Sequence, residues 1–172
     1  MLLTYLTLDQ AIDTHKKTVE VSGGGVLGHI DLGLLASVLE HIQNDIYYPT
    51  FEDKLTHLFF SACKFHCFQD GNKRVAITLC AQMLLLNGYL YCTSRFIRDM
   101  ENISYHVAAG HIDKSLLTDL ILATLNDDSD NEELKLRLWN AIALSAECDS
   151  GATWHQTGAE FVKRAKNDTP KP

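Results

Sequence analysis

Two apolar runs with helical spacing flank a short charged stretch, and this arrangement constrains the fold more than any other feature. Apolar side chains recur every three or four positions over residues 55–65 and again over residues 76–86. The second run stops at Asn87-Gly88, a pair typical of a turn. The expected inward-facing residues are Leu55, Leu58, Phe59, Ala62, Phe65, Ala76, Leu79, Cys80, Met83 and Leu86. The sequence therefore predicts two core helices joined by a polar loop.

The polar loop has residue types that suit the binding of phosphate. It reads His66-Cys67-Phe68-Gln69-Asp70-Gly71-Asn72-Lys73-Arg74. Gly71 lets the backbone approach a ligand, and the N-terminus of the helix that begins there attracts anions. Lys73 and Arg74 add positive charge, and arginine can hold a phosphate with two parallel hydrogen bonds. Asp70 could hold Mg²⁺ through oxygen, and His66 could accept a proton from a hydroxyl group. Residue types alone make this a weak hypothesis.

The spacing within the loop resembles the signature of the Fic/Doc family, H-x-F-x-[D/E]-[G/A]-N-[G/K]-R. This motif specifies at least six of nine positions, so it is far more specific than a lone glycine motif. Three other segments resemble the upstream pattern of the death-on-curing (Doc) branch: residues 22–25, 31–35 and 47–51. The resemblance covers roughly residues 3–125. It implies a mostly helical protein that transfers part of a nucleotide to a hydroxyl group of another protein.

The resemblance also implies a role for each motif residue. His66 would be the general base that acts on the target hydroxyl, and Phe68 would anchor the loop in the core. Asp70 would coordinate Mg²⁺ on the phosphates of ATP. The phosphates themselves would be bound by four consecutive residues, Gly71, Asn72, Lys73 and Arg74.

Two positions favour the Doc branch, whose namesake transfers the terminal phosphate of ATP. Lys73 stands where members that transfer AMP usually have glycine, and Ile77 stands where many of them have a second arginine. Gly71 is instead the Fic-like choice, because Doc itself has alanine there. The sequence thus predicts a toxin-type phosphotransferase that modifies a serine or threonine, with elongation factor Tu as the family's precedent for a target. Protein adenylyltransferase activity (AMPylation) is the alternative, and a non-catalytic binding module is a further one.

The whole sequence predicts an all-α fold with a C-terminal addition. Residues 1–125 would form the Fic/Doc helical bundle, and an acidic linker at 126–131 would lead into a helical extension with a disordered tail, so that the second unit spans 126–172. The glycine-rich segment at residues 22–33 reads by itself as a flexible turn, whereas the resemblance implies that it forms the flap, a short β-hairpin that aligns a target strand over the site. The expected recognition edge is Leu27, Gly28, His29 and Ile30.

Composition narrows the possible partners. A net charge of −7 argues against general binding of nucleic acid. No stretch is apolar and long enough to span a membrane, and the N-terminus does not resemble a signal peptide. The odd number of cysteines, several within apolar runs, predicts reduced thiols in a cytoplasmic protein.

The sequence also bears on how such an enzyme would be kept inactive. Many Fic proteins carry an inhibitory helix with the pattern [S/T]-x-x-x-E-[G/N]. Only Ser129 and Glu133 come near this spacing, and Leu134 departs from its last position. We therefore expect inhibition by a separate small antitoxin that resembles Phd, the partner of Doc, and that folds a disordered tail into a groove.

Overall fold

The computed structural model describes residues 2–128 and 130–150, and this part of the chain is built from seven helices. These are α1 (Leu8–Val21), α2 (Leu32–His41), α3 (Phe51–Lys64), α4 (Asn72–Leu86), α5 (Leu90–Ala109), α6 (Lys114–Leu125) and α7 (Glu132–Ser150). None of the described helices is long and apolar enough to cross a membrane. The mostly helical architecture agrees with the fold class expected from the sequence.

Short-range capping interactions mark the starts of the first three helices. Thr7 starts α1 with a reciprocal capping box to Gln10, and Thr50 starts α3 with the same arrangement to Asp53. Asp31 accepts a hydrogen bond from the Leu34 amide at the start of α2. These caps confirm the starts predicted for the first three helices. Each depends on residues only three positions apart, which is why sequence alone locates them.

The helices α3 and α4 form the centre of the bundle. They pack against each other, α5 packs on both, and α1 packs on α4. Residues on several faces of α4 are buried, as expected for a helix surrounded by others. Two hydrogen bonds fasten α1 to α4, from Thr14 Oγ1 to Gln82 Oε1 at 2.6 Å and between the Thr18 and Thr78 hydroxyls at 3.0 Å. These two bonds fix the position of α1 against α4.

One expected helix boundary is wrong, and one expected helix of the C-terminal extension is present. Residues 89–92 were expected to be a connection, but α5 already begins at Leu90, with Cys92 fully buried. Packing of this turn against the core overrides its aromatic, strand-like composition. In the extension, α7 lies where a helix was expected, and Leu134 and Leu138 pack against the core. The rest of the expected extension, including its disordered tail, follows residue 150 and lies outside the described residues.

The glycine-rich segment between α1 and α2 does not form the expected β-hairpin. Within the described residues it forms a single antiparallel bridge, between His29 and Phe68. The Gly28 carbonyl accepts a hydrogen bond from the Gln69 amide at 3.0 Å, and the Ile30 amide donates to the Cys67 carbonyl at 2.9 Å. The backbone partner of residues 28–30 is therefore the motif loop rather than a neighbouring part of the same segment.

Candidate active site

The motif loop occupies the turn between the two central helices. The first, α3, ends at Lys64, and α4 begins at Asn72 with Gly71 as its N-cap. Gly71 has a φ of 80°, in the left-handed region that glycine adopts without strain. His66 also has a positive φ, 48°, which is uncommon for a residue other than glycine. The chain thus turns sharply at two positions that the motif specifies, His66 and Gly71.

Asn72 closes the loop on itself. Its side-chain oxygen accepts a hydrogen bond from the Phe68 amide at 3.0 Å, and its side-chain nitrogen donates to the Phe68 carbonyl at 2.7 Å. The Phe68 ring is only 2% exposed and lies in the core. The predicted anchor therefore lies behind the loop, and the Asn72 side chain is bonded to the loop backbone in this structure rather than directed at a ligand.

A histidine that the motif does not include supports the loop from behind. His15 of α1 is 1% exposed, and its ring stacks on Phe68 with centroids 3.8 Å apart. Its Nε2 lies 3.0 Å from the Asp70 carbonyl oxygen, which can only accept, so Nε2 carries the proton. Burial lowers the pKa of His15, which favours the neutral ring. Sequence reasoning missed this role, although a histidine at four-residue spacing between the buried Ala11 and Val19 was a visible signal.

The carboxylate of Asp70 and the guanidinium of Arg74 face each other at the front of the loop. Asp70 Oδ1 accepts a hydrogen bond from the Gly71 amide at 2.6 Å, and Oδ2 lies 3.3 Å from Arg74 Nη2. Both side chains are partly exposed, so the pair is accessible to a ligand. For Asp70 to bind a metal ion while Arg74 binds a phosphate, the two side chains must either move apart or contact the same metal-bound phosphate.

The glycine-rich segment lies against this ion pair. Arg74 Nη1 donates to Ser22 Oγ in a short hydrogen bond and lies 3.5 Å from the Gly24 carbonyl oxygen. A Cβ atom on Gly25 would stand 2.5 Å from Asp70 Oδ2. A larger residue at this position would therefore displace the carboxylate. This close approach and the φ of 151° at Gly25 both favour glycine here.

One cavity of about 280 Å³ collects most of the predicted site residues. His66, Asp70, Gly71, Asn72, Lys73 and Arg74 line it, together with Cys63, Gln69 and Ala108. Phe68 is buried behind the cavity, and Leu27, Gly28, His29 and Ile30 lie beside the loop without lining it. The motif thus brings a histidine, a carboxylate, two cations and a helix N-terminus to one small opening.

The cavity wall offers positive charge to an anion and contains one buried thiol. Lys73 and Arg74 lie in the first turn of α4, where helix amides have no partner within the helix and attract anions. The Lys73 ammonium also lies 5.2 Å from the centre of the Tyr105 ring, which positions it beside α5. Burial raises the pKa of the Cys63 thiol in the wall to about 12, so that this cysteine is not a nucleophile at neutral pH.

The donor set fits Mg²⁺ only as the partner of a phosphate. No group of three or more His, Cys, Asp or Glu residues that could hold a metal ion occurs in residues 2–128 and 130–150. Asp70 is the carboxylate that lines the cavity. Mg²⁺ is commonly held by one or two carboxylates together with substrate phosphates, so a single carboxylate beside an anion site meets this requirement.

Comparison with known proteins agrees with the motif. Residues 5–84 match the model of the Fic/DOC family. This match supports the Fic/Doc family. It extends from before α1 almost to the end of α4, and therefore includes the glycine-rich segment and the whole motif loop. No curated protein matches the chain. Members of the Fic/Doc family are typically transferases that use ATP, so the match supports a nucleotide-dependent transferase in general terms.

Proposed function

We propose that this protein is a Doc-like phosphotransferase that moves the terminal phosphate of ATP to a serine or threonine hydroxyl of a protein. The observation that carries the proposal is the single cavity that holds His66, Asp70, Lys73 and Arg74 at the N-terminus of α4. A general base, an oxygen ligand for Mg²⁺ and a positively charged anion site are the groups that phosphoryl transfer requires. A cytoplasmic location and elongation factor Tu as a target belong to this proposal.

In the proposed reaction, the target hydroxyl oxygen attacks the γ-phosphorus, the bond to the β,γ-bridging oxygen breaks, and ADP leaves. His66, which is exposed at the cavity, takes the hydroxyl proton. Lys73, Arg74 and the amides of the first turn of α4 hold the phosphate oxygens. Mg²⁺ held by Asp70 would neutralise charge on the phosphates. A positioned base typically contributes ~10²- to 10⁴-fold in rate, so positioning and charge must supply most of the acceleration.

The neighbourhood of Arg74 favours phosphate transfer over AMP transfer. A second, largely apolar cavity of about 620 Å³ lies between α1, α4 and α5, and Arg74 borders both cavities. Ile77 lines this second cavity at the position where AMP-transferring members often carry another arginine. Residue 77 therefore provides no positive charge that could bind the distal phosphates there. Adenylyl transfer by the same His66 is the second candidate, favoured by Gly71.

The segment at 27–30 has the properties of a strand that could align a target. Gly28 and Ile30 direct their backbone groups to the motif loop, as the bridge to Phe68 requires. In an extended chain the backbone groups of alternate residues point to opposite sides. His29, between them, therefore directs its backbone groups away from the loop, and the described residues offer the His29 amide no backbone acceptor. We propose that a target segment pairs with this outer edge.

The second cavity is also a suitable place for the proposed antitoxin. It is a groove with apolar residues Val21, Ile77 and Ile97 and charged residues at its rim, including Asp13 and Glu101. Val21 is 88% exposed and Ile97 is 45% exposed. A disordered tail that folds as an amphipathic helix could cover these side chains and approach Arg74 at the same time.

Transfer from ATP labelled on either the α- or the γ-phosphate tests the function. Purified protein is incubated with cell lysate and Mg²⁺, in parallel with the His66→Ala variant and with His111→Ala as a matched control away from the cavity. We expect protein label from γ-labelled ATP only, lost in His66→Ala and retained in His111→Ala. Label from α-labelled ATP would instead establish AMP transfer. Label from γ that persists in His66→Ala would remove His66 as the base.

A further inference from the structure

We propose that His15 is a positioning residue that fixes the Asp70 peptide from behind, so that the Asp70 carboxylate points into the cavity. The inference rests on the proposed function, because it assigns a role to His15 in that reaction. His15 does not itself line the cavity. It would act through Asp70 and Phe68.

The placement of His15 is unusual for a side chain of this kind. α1 buries Ala11, His15 and Val19 at four-residue spacing, and this stripe faces the core. An apolar residue at position 15 would fill the same space without a polar group to satisfy. The histidine instead places a hydrogen-bond donor at the centre of the stripe, 55 residues away in sequence from its acceptor.

The acceptor is a backbone atom on which the geometry of the site depends. The Asp70 carbonyl lies directly before Gly71, the left-handed residue that caps α4. The other side of Asp70 is engaged at the front, where its carboxylate accepts from the Gly71 amide and contacts Arg74. With the carbonyl held by His15, rotation of the Asp70–Gly71 peptide would break a hydrogen bond on each side of the loop.

The ring of His15 makes a second contact with the same loop. It stacks on Phe68 at an interplanar angle of 11°. The His29 ring contacts the same Phe68 ring edge-on, with the centroids 5.7 Å apart. α1 itself is fastened to α4 through Thr14 and Thr18, on either side of His15. Two motif positions, 68 and 70, are therefore tied to a helix that cannot shift independently of α4.

Two substitutions separate the hydrogen bond from the ring. His15→Phe keeps an aromatic ring for stacking but removes the donor. His15→Gln keeps a donor near the position of Nε2 but removes the ring. His57→Phe changes a histidine of α3 that does not line the cavity and serves as a matched control. Each variant is assayed for kcat and KM with γ-labelled ATP, and for amide hydrogen exchange in the full-length protein.

We expect kcat in His15→Phe to fall ~10- to 100-fold with little change in KM for ATP, since small displacements of a reacting group cost this much. His15→Gln should recover most of the loss, and His57→Phe should match the unsubstituted protein. Exchange should become faster in His15→Phe at the Phe68 and Gly71 amides, which the folded loop protects, and stay unchanged in α3 and α6.

The outcomes separate this inference from the proposed function. Normal kcat and normal exchange at residues 68–71 in folded His15→Phe would overturn the positioning role. If His15→Phe does not fold, a His15→Gln variant that is folded but as inactive as His66→Ala would overturn it. Faster exchange in His15→Phe together with no transfer by the unsubstituted protein would support the positioning role and reject the phosphotransferase.

Discussion

Asp70 is bonded through both its backbone and its carboxylate, and this makes its substitution informative. Its backbone is bonded to His15 and its carboxylate to the Gly71 amide and Arg74. Asp70→Ala removes the proposed metal ligand but leaves the backbone bond to His15 in place. The ion pair with Arg74 is partly exposed, so its loss should change stability by only ~0–1 kcal/mol.

We therefore expect Asp70→Ala to lower transfer at least ~10-fold at low Mg²⁺ and to recover partly when Mg²⁺ is raised. The measurement is the rate of γ-phosphate transfer over a range of Mg²⁺ concentrations. Asp13→Ala removes an exposed carboxylate of α1 and is the charge-matched control. A loss of activity that Mg²⁺ does not relieve would assign Asp70 a structural role instead.

At the scale of elements, the glycine-rich segment approaches the site closely, and two of its glycines can be compared directly. Gly24 and Gly25 both have positive φ values, 92° and 151°. A Cβ on Gly24 would meet nothing within 4 Å, whereas one on Gly25 would meet Asp70 Oδ2. Only the second substitution can therefore disturb the carboxylate directly.

Gly24→Ala should cost ~1 kcal/mol of stability from backbone strain and leave transfer nearly unchanged. Gly25→Ala should have a similar cost in stability but a lower rate of transfer than Gly24→Ala. The added methyl group would displace the Asp70 carboxylate, because the end of that side chain moves more easily than the backbone. Thermal unfolding and transfer rates of the two variants test this. Equal activities in the two variants would show that the contact between Gly25 and Asp70 does not matter for transfer.

A second group of side chains, on α2, α3 and α6, gives stability a dependence on pH. Burial lowers the pKa of His57 to about 4, and the positive charge of Lys114 and the neighbouring His41 add to the effect. Lys114 Nζ lies 3.1 Å from His57 Nδ1. Since the folded pKa is below the unfolded value of ~6.5, the contribution of His57 to stability is complete above pH 6.5 and is lost as pH falls toward 4.

His57→Gln should flatten the dependence of unfolding free energy on pH between 6.5 and 4. The expected change is ~1 kcal/mol, after discounting for a side chain that remains partly exposed. Urea unfolding at several pH values measures it. Lys114→Met should flatten the curve partly, because it removes one cause of the shift. A curve for His57→Gln that is as steep as that of the unsubstituted protein would exclude this assignment.

Local and non-local interactions explain which elements the sequence predicts. Thr7, Thr50 and Asp113 cap helices through residues three positions away, and the sequence shows these pairs directly. The motif residues of the cavity are also within nine positions of each other. The bridge from His29 to Phe68 joins residues 39 positions apart, so the sequence cannot distinguish it from a hairpin. The contact of His15 with Asp70 is equally non-local.

At the scale of the whole molecule, α7 continues the packing of the helical core. Leu134, Leu138 and Ala141 pack against it, and Arg137 makes an ion pair with Asp119 of α6 at 2.7 Å. Leu136 and Trp139, on the other side of α7, are 59% and 66% exposed. Its main packing partner is α6, and none of its described residues lines the cavity. A stabilising role for α7 follows from these contacts.

Truncation after Leu125 should therefore lower stability without switching transfer on. The loss of apolar burial from α7 should cost ~2–4 kcal/mol. Leu134→Ser with Leu138→Ser should reproduce most of this loss, whereas Leu136→Ser with Trp139→Ser should not, because the latter pair is exposed. Unfolding and transfer assays on these proteins separate the two roles. An inactive full-length protein that becomes active on truncation would make residues 126–172 the inhibitor, and the antitoxin would then be unnecessary, since inhibition would come from the chain itself.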